Sequence, residues 1–297
     1  MDDRLGHARV EWEDIRTTLA GVATRVCELL RTGPDPTRPA CGQWNLGETA
    51  VHLSHAWAGI PAMAARDLDR LRAAIPEVPG VVIGRPSGAM ISNPAELAVV
   101  TNGMVANDPE RDLGRIADRI EASAKDFCEH FDPNDPAGPR PWMIEGITGG
   151  PTLFAGHLLN ETLVHGYDLA TASGRPWQMS DHEAAMVFRG FLLNVMVERT
   201  ALMSAKAPGS TGPEMTIDLR LAGDQRMVLR NTATGMRVEQ PVGRTAADAR
   251  MWARPAALTL LAWKRRSLGS VMRSGEMAVW GRRPWMANKL LALGPKV

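Results

Sequence analysis

Between His157 and Asp168 the chain reads His157-Leu-Leu-Asn-Glu161-Thr-Leu-Val-His165-Gly-Tyr-Asp168. His157, Glu161 and His165 recur every fourth residue, and residues four apart share one face of a helix. Three groups with metal-binding atoms then form one stripe amid leucines and a valine. Imidazole nitrogen with carboxylate oxygen suits a divalent metal, zinc above all. A polar helix face holding a Glu–His pair is the plainer account of the same residues. Upstream, Asn45-Leu-Gly-Glu48-Thr-Ala-Val-His52 places Asn at an N-cap and Glu three residues on, a capping box that puts His52 about two turns into a helix. Apolar neighbours turn His52 inward, where a core histidine bonded to an adjacent helix is the ordinary outcome. Joined to Glu161 and His165, it completes a His, Glu, His set. Three protein ligands with an open fourth position mark a catalytic zinc rather than a structural one.

Two longer stretches carry a family resemblance. Trp44-Asn-Leu-Gly-Glu48-Thr-Ala-Val-His52-Leu53 resembles the first-ligand motif of the mycothiol-dependent maleylpyruvate isomerases. Glu161-Thr-Leu-Val-His165-Gly-Tyr-Asp168-Leu-Ala-Thr-Ala-Ser-Gly174-Arg-Pro176 resembles their second motif, with Tyr167 where Trp is more usual. The resemblance spans nearly the whole chain. It implies an N-terminal all-α, DinB-like four-helix bundle holding the metal and a smaller C-terminal α+β domain similar to sterol carrier protein 2. It also implies that His52, Glu161 and His165 are the zinc ligands and that mycothiol is the thiol cosubstrate. His55 and His157 match no ligand position in these motifs.

Zinc held by two neutral imidazoles and one carboxylate keeps a net positive charge, so a thiol entering the open position loses its proton readily. Water in the same position would become hydroxide and make a hydrolase. The ligand set alone does not choose; the resemblance favours thiol attack on a small electrophilic substrate, as S-transferase or cis–trans isomerase. A zinc hydrolase and a non-enzymatic carrier of hydrophobic ligands are the alternatives. Cys41, near the start of the His52 helix, is a candidate nucleophile, though a small buried hydrophobe is the simpler account of it. Asp168, one turn after His165, either orients that ligand or pairs with an arginine. Arg220, Arg230, Arg237, Arg250, Arg254 and Lys264-Arg265-Arg266 could meet an anionic substrate, and none is singled out. Trp44, Trp57 and Trp142 are candidate pocket walls. The chain has no Gly-x-Ser-x-Gly elbow and no phosphate-binding Gly-rich loop with Lys-Ser/Thr.

The elements that must position these groups follow from periodicity and punctuation. Residues 8–32 read as a helix stopped by Gly33-Pro34, and a second runs from about Leu46 past Leu68. A proline- and glycine-rich loop fills 76–94. Helix then extends to Phe131 with a break at 107–109, and 132–141 forms a second loop. The Glu161 helix ends at Gly174, with Pro176 beyond it. A further helix covers 181–202. The stretch 205–213 reads as a linker, which divides the chain into 1–205 and 213–297. Beyond it, 215–221 alternates apolar and polar residues as a strand does. Residues 226–230, 235–239, 249–253 and 276–280 read as further strands, and 255–263 and 284–293 as helices. Strands gathered beside a few helices make an α+β domain.

The chain's 297 residues are long for one compact domain and 44% are hydrophobic, ample for packed cores. Net charge of +1 gives no electrostatic footprint for nucleic acid. No run of about 18 apolar residues suggests a membrane span, and Met1-Asp-Asp-Arg4 begins no signal peptide. Cys27, Cys41 and Cys128 are too scattered for a disulfide framework. A reducing, cytoplasmic setting is the expectation.

Overall fold

The computed structural model describes residues 10–74, 91, 94–134, 138–206, 211–223, 225–243 and 245–293. It is helix-rich, with one larger sheet. Its contacts divide it into two compact units, one spanning Glu11–Gln178 and the other beginning at Met179.

The first unit opens with α1 (Trp12–Arg31), whose Ile15, Leu19, Val22, Val26 and Leu30 recur at helical spacing and are all buried. Gly33, at φ +65°, ends it in a conformation costly for residues with a Cβ. A tight hairpin of β1 (Pro39–Cys41) and β2 (Trp44–Asn45) follows, reversed at Gly42 with φ +57°. From it springs α2 (Leu46–Ala64). The expected capping box is present: the Glu48 N–H donates to Asn45 Oδ1 and the Asn45 N–H to Glu48 Oε2, each at 2.9 Å. This helix ends earlier than the periodicity suggested, because Arg66 takes φ +56°, and α3 (Leu68–Ala74) starts afresh. Most of the 76–94 loop lies outside the described residues.

Next come α4 (Pro94–Asn107) and α5 (Leu113–His130), then a short ladder of β3 (Arg140–Pro141) with β4 (Thr148–Gly149). α6 (Pro151–Ser173) begins with proline at its first position and ends at Gly174, in the left-handed region at φ 68°, the asymmetry expected of helix ends. α1 and α2 each pack on both α5 and α6. Trp57 of α2 donates its ring N–H to Thr162 of α6 at 3.1 Å, fixing the rotation of these two helices. A methyl placed on Gly166 would lie 2.2 Å from the Trp177 ring. Only glycine lets that indole lie against α6 and donate to the Leu163 carbonyl at 3.0 Å.

The second unit holds α7 (Asp181–Val187), a π-helical turn (Phe188–Leu192) and α8 (Leu193–Lys206), before its sheet. The strands are β5 (Met215–Leu221), β6 (Gln225–Thr232), β7 (Gly235–Glu239), β8 (Ala249–Ala253) and β9 (Met277–Trp280). Their spatial order is β7-β6-β5-β8-β9, with β5 and β8 parallel and every other pair antiparallel. Alternation places Ile217, Leu219, Met227, Leu229 and Met251 on one buried face. Helices α9 (Pro255–Ala262), α10 (Leu268–Arg273) and α11 (Met286–Leu291) complete the unit. The division falls at Gln178/Met179, ahead of the 205–213 stretch expected to link the domains. The reason is physical. Thr200 Oγ1 accepts from the Met236 N–H at 2.9 Å, and Gly235 brings β7 against the α8 backbone. Phe188, Leu192 and Met196 line an apolar cavity together with Leu219, Met251 and Leu258.

A fragment ending at Gln178 should therefore elute as a single helical species, whereas one ending at residue 205 should aggregate through its uncovered Phe188, Leu192 and Met196. Size-exclusion chromatography with circular dichroism compares them. Equal behaviour would return 181–206 to the first unit.

Candidate metal centre

The site lies between α2 and α6. His52 projects from the second turn of α2, and its Nε2 is 3.2 Å from Glu161 Oε2. One turn along α6, His165 Nε2 is 3.4 Å from the same oxygen. The three donor atoms all fall within 4.8 Å of one another. Ligands bound tetrahedrally at about 2.0–2.1 Å stand about 3.3 Å apart, and the 3.2 and 3.4 Å gaps to Glu161 Oε2 match that spacing. The His52 and His165 rings meet edge to face at 4.9 Å, and Trp44 lies against His52 at 4.8 Å.

A second layer holds these groups in place. Asp168 Oδ2 is 3.1 Å from His165 Nδ1, which directs the other nitrogen, Nε2, towards Glu161. The far oxygen of Glu161, Oε1, is 3.4 Å from His157 Nε2 and receives the Asn160 amide at 3.4 Å. His157 in turn accepts the Trp142 ring N–H on Nδ1 at 3.3 Å, which leaves its Nε2–H to donate to the carboxylate. Carboxylate–histidine–metal chains of this kind orient ligands and raise their basicity.

The protonation states follow from burial and partners. Burial alone would raise the pKa of Glu161, but bonds from His157, His165 and His52 outweigh it and hold the carboxyl well below the ordinary range. Burial depresses His52 despite its bond to Glu161. Burial opposes charge on His165 too, yet Asp168, Cys41 and Glu161 raise it well above the usual imidazole value. Of the three groups, His165 is thus the one whose partners favour the positively charged form. The donor set is suited to a cation in that position.

Of the other residues singled out from sequence, His157 reaches Glu161 from behind, and Asp168 contacts His165. His55 faces away, bonded at 2.9 Å to Asp108, which also receives Arg119 at 2.8 Å. Trp57 is core, whereas Trp44 and Trp142 touch the site's histidines. In the sheet unit Arg220, Arg226 and Arg250 surround the buried Asp218, Arg230 pairs with Glu239, and Arg254 with Asp181. Cys41 lies closer to the chemistry than a helix N-terminus reading suggests: the hairpin carries its thiol to within hydrogen-bonding reach of His165. Sequence reasoning missed that hairpin, which Gly42, one residue after Cys41 and at φ +57°, could have signalled. The contact from Trp142 to His157 had no such signal, because it depends on the β3–β4 excursion.

No protein-family model and no curated protein matches the chain. Among solved structures, a mycothiol-dependent maleylpyruvate isomerase matches 87% of this chain and 91% of its own, at 11% identity and a TM-score of 0.43. The ubiquinone synthesis protein UbiJ-SCP2 matches 34% of this chain and 80% of its own, at 20% identity and a TM-score of 0.26. Sterol carrier protein 2 like 2 from Aedes aegypti matches 34% and 94%, at 16% identity and a TM-score of 0.23. Overlaps this loose carry no chemical argument, so the ligands are tested directly. His165→Ala should abolish stoichiometric zinc binding with helix content intact, while His157→Ala and Trp142→Phe should weaken it about 10- to 100-fold. Equal loss in His157→Ala and His165→Ala, measured by competition with a chromogenic chelator, would make His157 a ligand. Full occupancy in His165→Ala would remove the site.

Proposed function

We propose that the chain is a zinc-dependent, mycothiol-using enzyme in which a metal-activated thiolate attacks a small electrophile. The observation that carries this reading is the convergence of His52 Nε2, Glu161 Oε2 and His165 Nε2 on one point, with donors 3.2 and 3.4 Å apart. A zinc ion bound there would supply the positive charge that strips the proton from an entering thiol. A free thiol with pKa about 8.5 is only about 3% thiolate at pH 7, so complete ionisation alone is worth about 30-fold. The protein's part is positional. Asp168 keeps His165 Nε2 aimed at the centre, and His157 with Asn160 keeps Glu161 Oε2 turned towards it. The Trp44 ring lies against His52.

Two outcomes are open to the attacking sulfur. It forms a bond to the end carbon of a conjugated double bond, pushing the π electrons onto the carbonyl oxygen; rotation and expulsion of the same sulfur complete a cis–trans isomerisation. Alternatively it displaces a leaving group, or takes a proton after addition, and stays attached as an S-transfer product. S-transfer is the broader use of such a centre and is preferred here. The carrier alternative rests on the apolar cavity in the sheet unit, whose ≈ 30 Å³ holds no more than about two waters.

Elemental analysis should find about one zinc per chain, lost in His52→Ala/His165→Ala. The zinc-loaded protein should consume mycothiol with an electrophile such as a maleyl ketoacid, and chelation should lower the rate by at least about 30-fold. Turnover without thiol would select the hydrolase. Wild-type protein that takes up no zinc would leave the carrier.

A further inference from the structure

We propose that Cys41, His165 and Asp168 form a second donor set, which captures thiophilic metal ions and takes His165 from the first set when it does. One ligand atom from each of the three residues lies within 4.8 Å of the other two. The sets differ in chemistry. His52, Glu161 and His165 offer two nitrogens and an oxygen, whereas Cys41, His165 and Asp168 offer sulfur, nitrogen and oxygen. Thiolate selects soft ions of the zinc, cadmium and copper(I) kind.

The sulfur is placed by a dedicated piece of backbone. Cys41 ends β1 opposite Trp44, with the left-handed Gly42 between them. The same hairpin therefore lays an aromatic wall on His52 of the first set and brings a thiol to the second. Cys41 is half-buried, which leaves an ion a path in from solvent, while His165 and Asp168 are buried. Cys27 and Cys128 do not compete: both are buried, and burial pushes their thiols up to about 12 and about 11.

His165 makes the sets exclusive. A neutral imidazole has one N–H and one lone pair. With Nδ1–H given to Asp168 at 3.1 Å, the Nε2 lone pair faces His52 and Glu161. With the proton moved to Nε2 and donated to Glu161, the Nδ1 lone pair faces Asp168 beside Cys41. A soft ion bound on that side releases the thiol proton, and any second proton on His165, to solvent and leaves the first set one ligand short, so it acts as an inhibitor of any metal-dependent activity.

The test uses the metal-free full chain titrated with Cd²⁺ alone, followed by the sulfur-to-cadmium charge-transfer absorbance. The wild type should develop the band and saturate at about one Cd²⁺ per chain. Cys41→Ser should remove the band, Asp168→Asn should weaken binding about tenfold or more, and His52→Ala should keep the band. Absence of the band in the wild type, or its survival in Cys41→Ser, overturns the proposal. Loss of the band in His52→Ala overturns it too, since Cys41 would then be an extra ligand of the first set. None of these readouts depends on thiol turnover, so they stand apart from the proposed activity.

Discussion

The first unit is organised around one buried carboxylate. Glu161 sits in the middle of α6, and a charge taken out of water there costs several kcal/mol unless partners replace its hydration. Its two oxygens are served from opposite sides. Oε2 faces His52 and His165, while Oε1 faces His157 and Asn160. Meeting those needs fixes the distance and rotation of α2 against α6. The capping box at Asn45 and Glu48 sets where α2 begins, and so which turn carries His52. The Trp57–Thr162 bond, one residue beyond Glu161 on the same interface, holds the two helices in that phase. Gly166 does comparable work one residue beyond His165, where a side chain would push the Trp177 indole off the helix.

How much of this was legible in the sequence depends on how local each cause is. The ends of α6 are set by Pro151 and Gly174, and the start of α2 by a side chain three residues from the backbone it caps. Such causes lie within a turn of their effects. The four-residue recurrence of His157, Glu161 and His165 put them on one face, but could not say that His157 would address the other oxygen. That depends on Trp142, which arrives through the β3–β4 ladder from a stretch with no periodic signal. The strand alternation of β5 was equally plain, whereas the attachment of 181–206 to the sheet was not. Its apolar residues suit any core, and the choice is made by a close approach of α8 to Gly235 and a single hydroxyl at Thr200.

Could the cluster be only a structural ion-pair network? The hydrogen-bond inventory argues against a neutral one. His157 accepts from Trp142 and so donates to Glu161 from its single N–H. His52 can donate its one N–H to Oε2. His165 cannot serve both carboxylates while neutral: with Nδ1–H given to Asp168, its Nε2 presents a lone pair to an oxygen that also presents lone pairs. That contact is repulsive in a poorly solvated site. A second proton on His165 or a cation between His165, Glu161 and His52 relieves it. The proton alone leaves a buried imidazolium whose 3.4 Å contact with Glu161 is long for a charge-assisted pair. A cation among the three donors would meet the lone pairs of all three. The geometry is thus better matched to an ion at the point the donors share than to protons distributed along their edges.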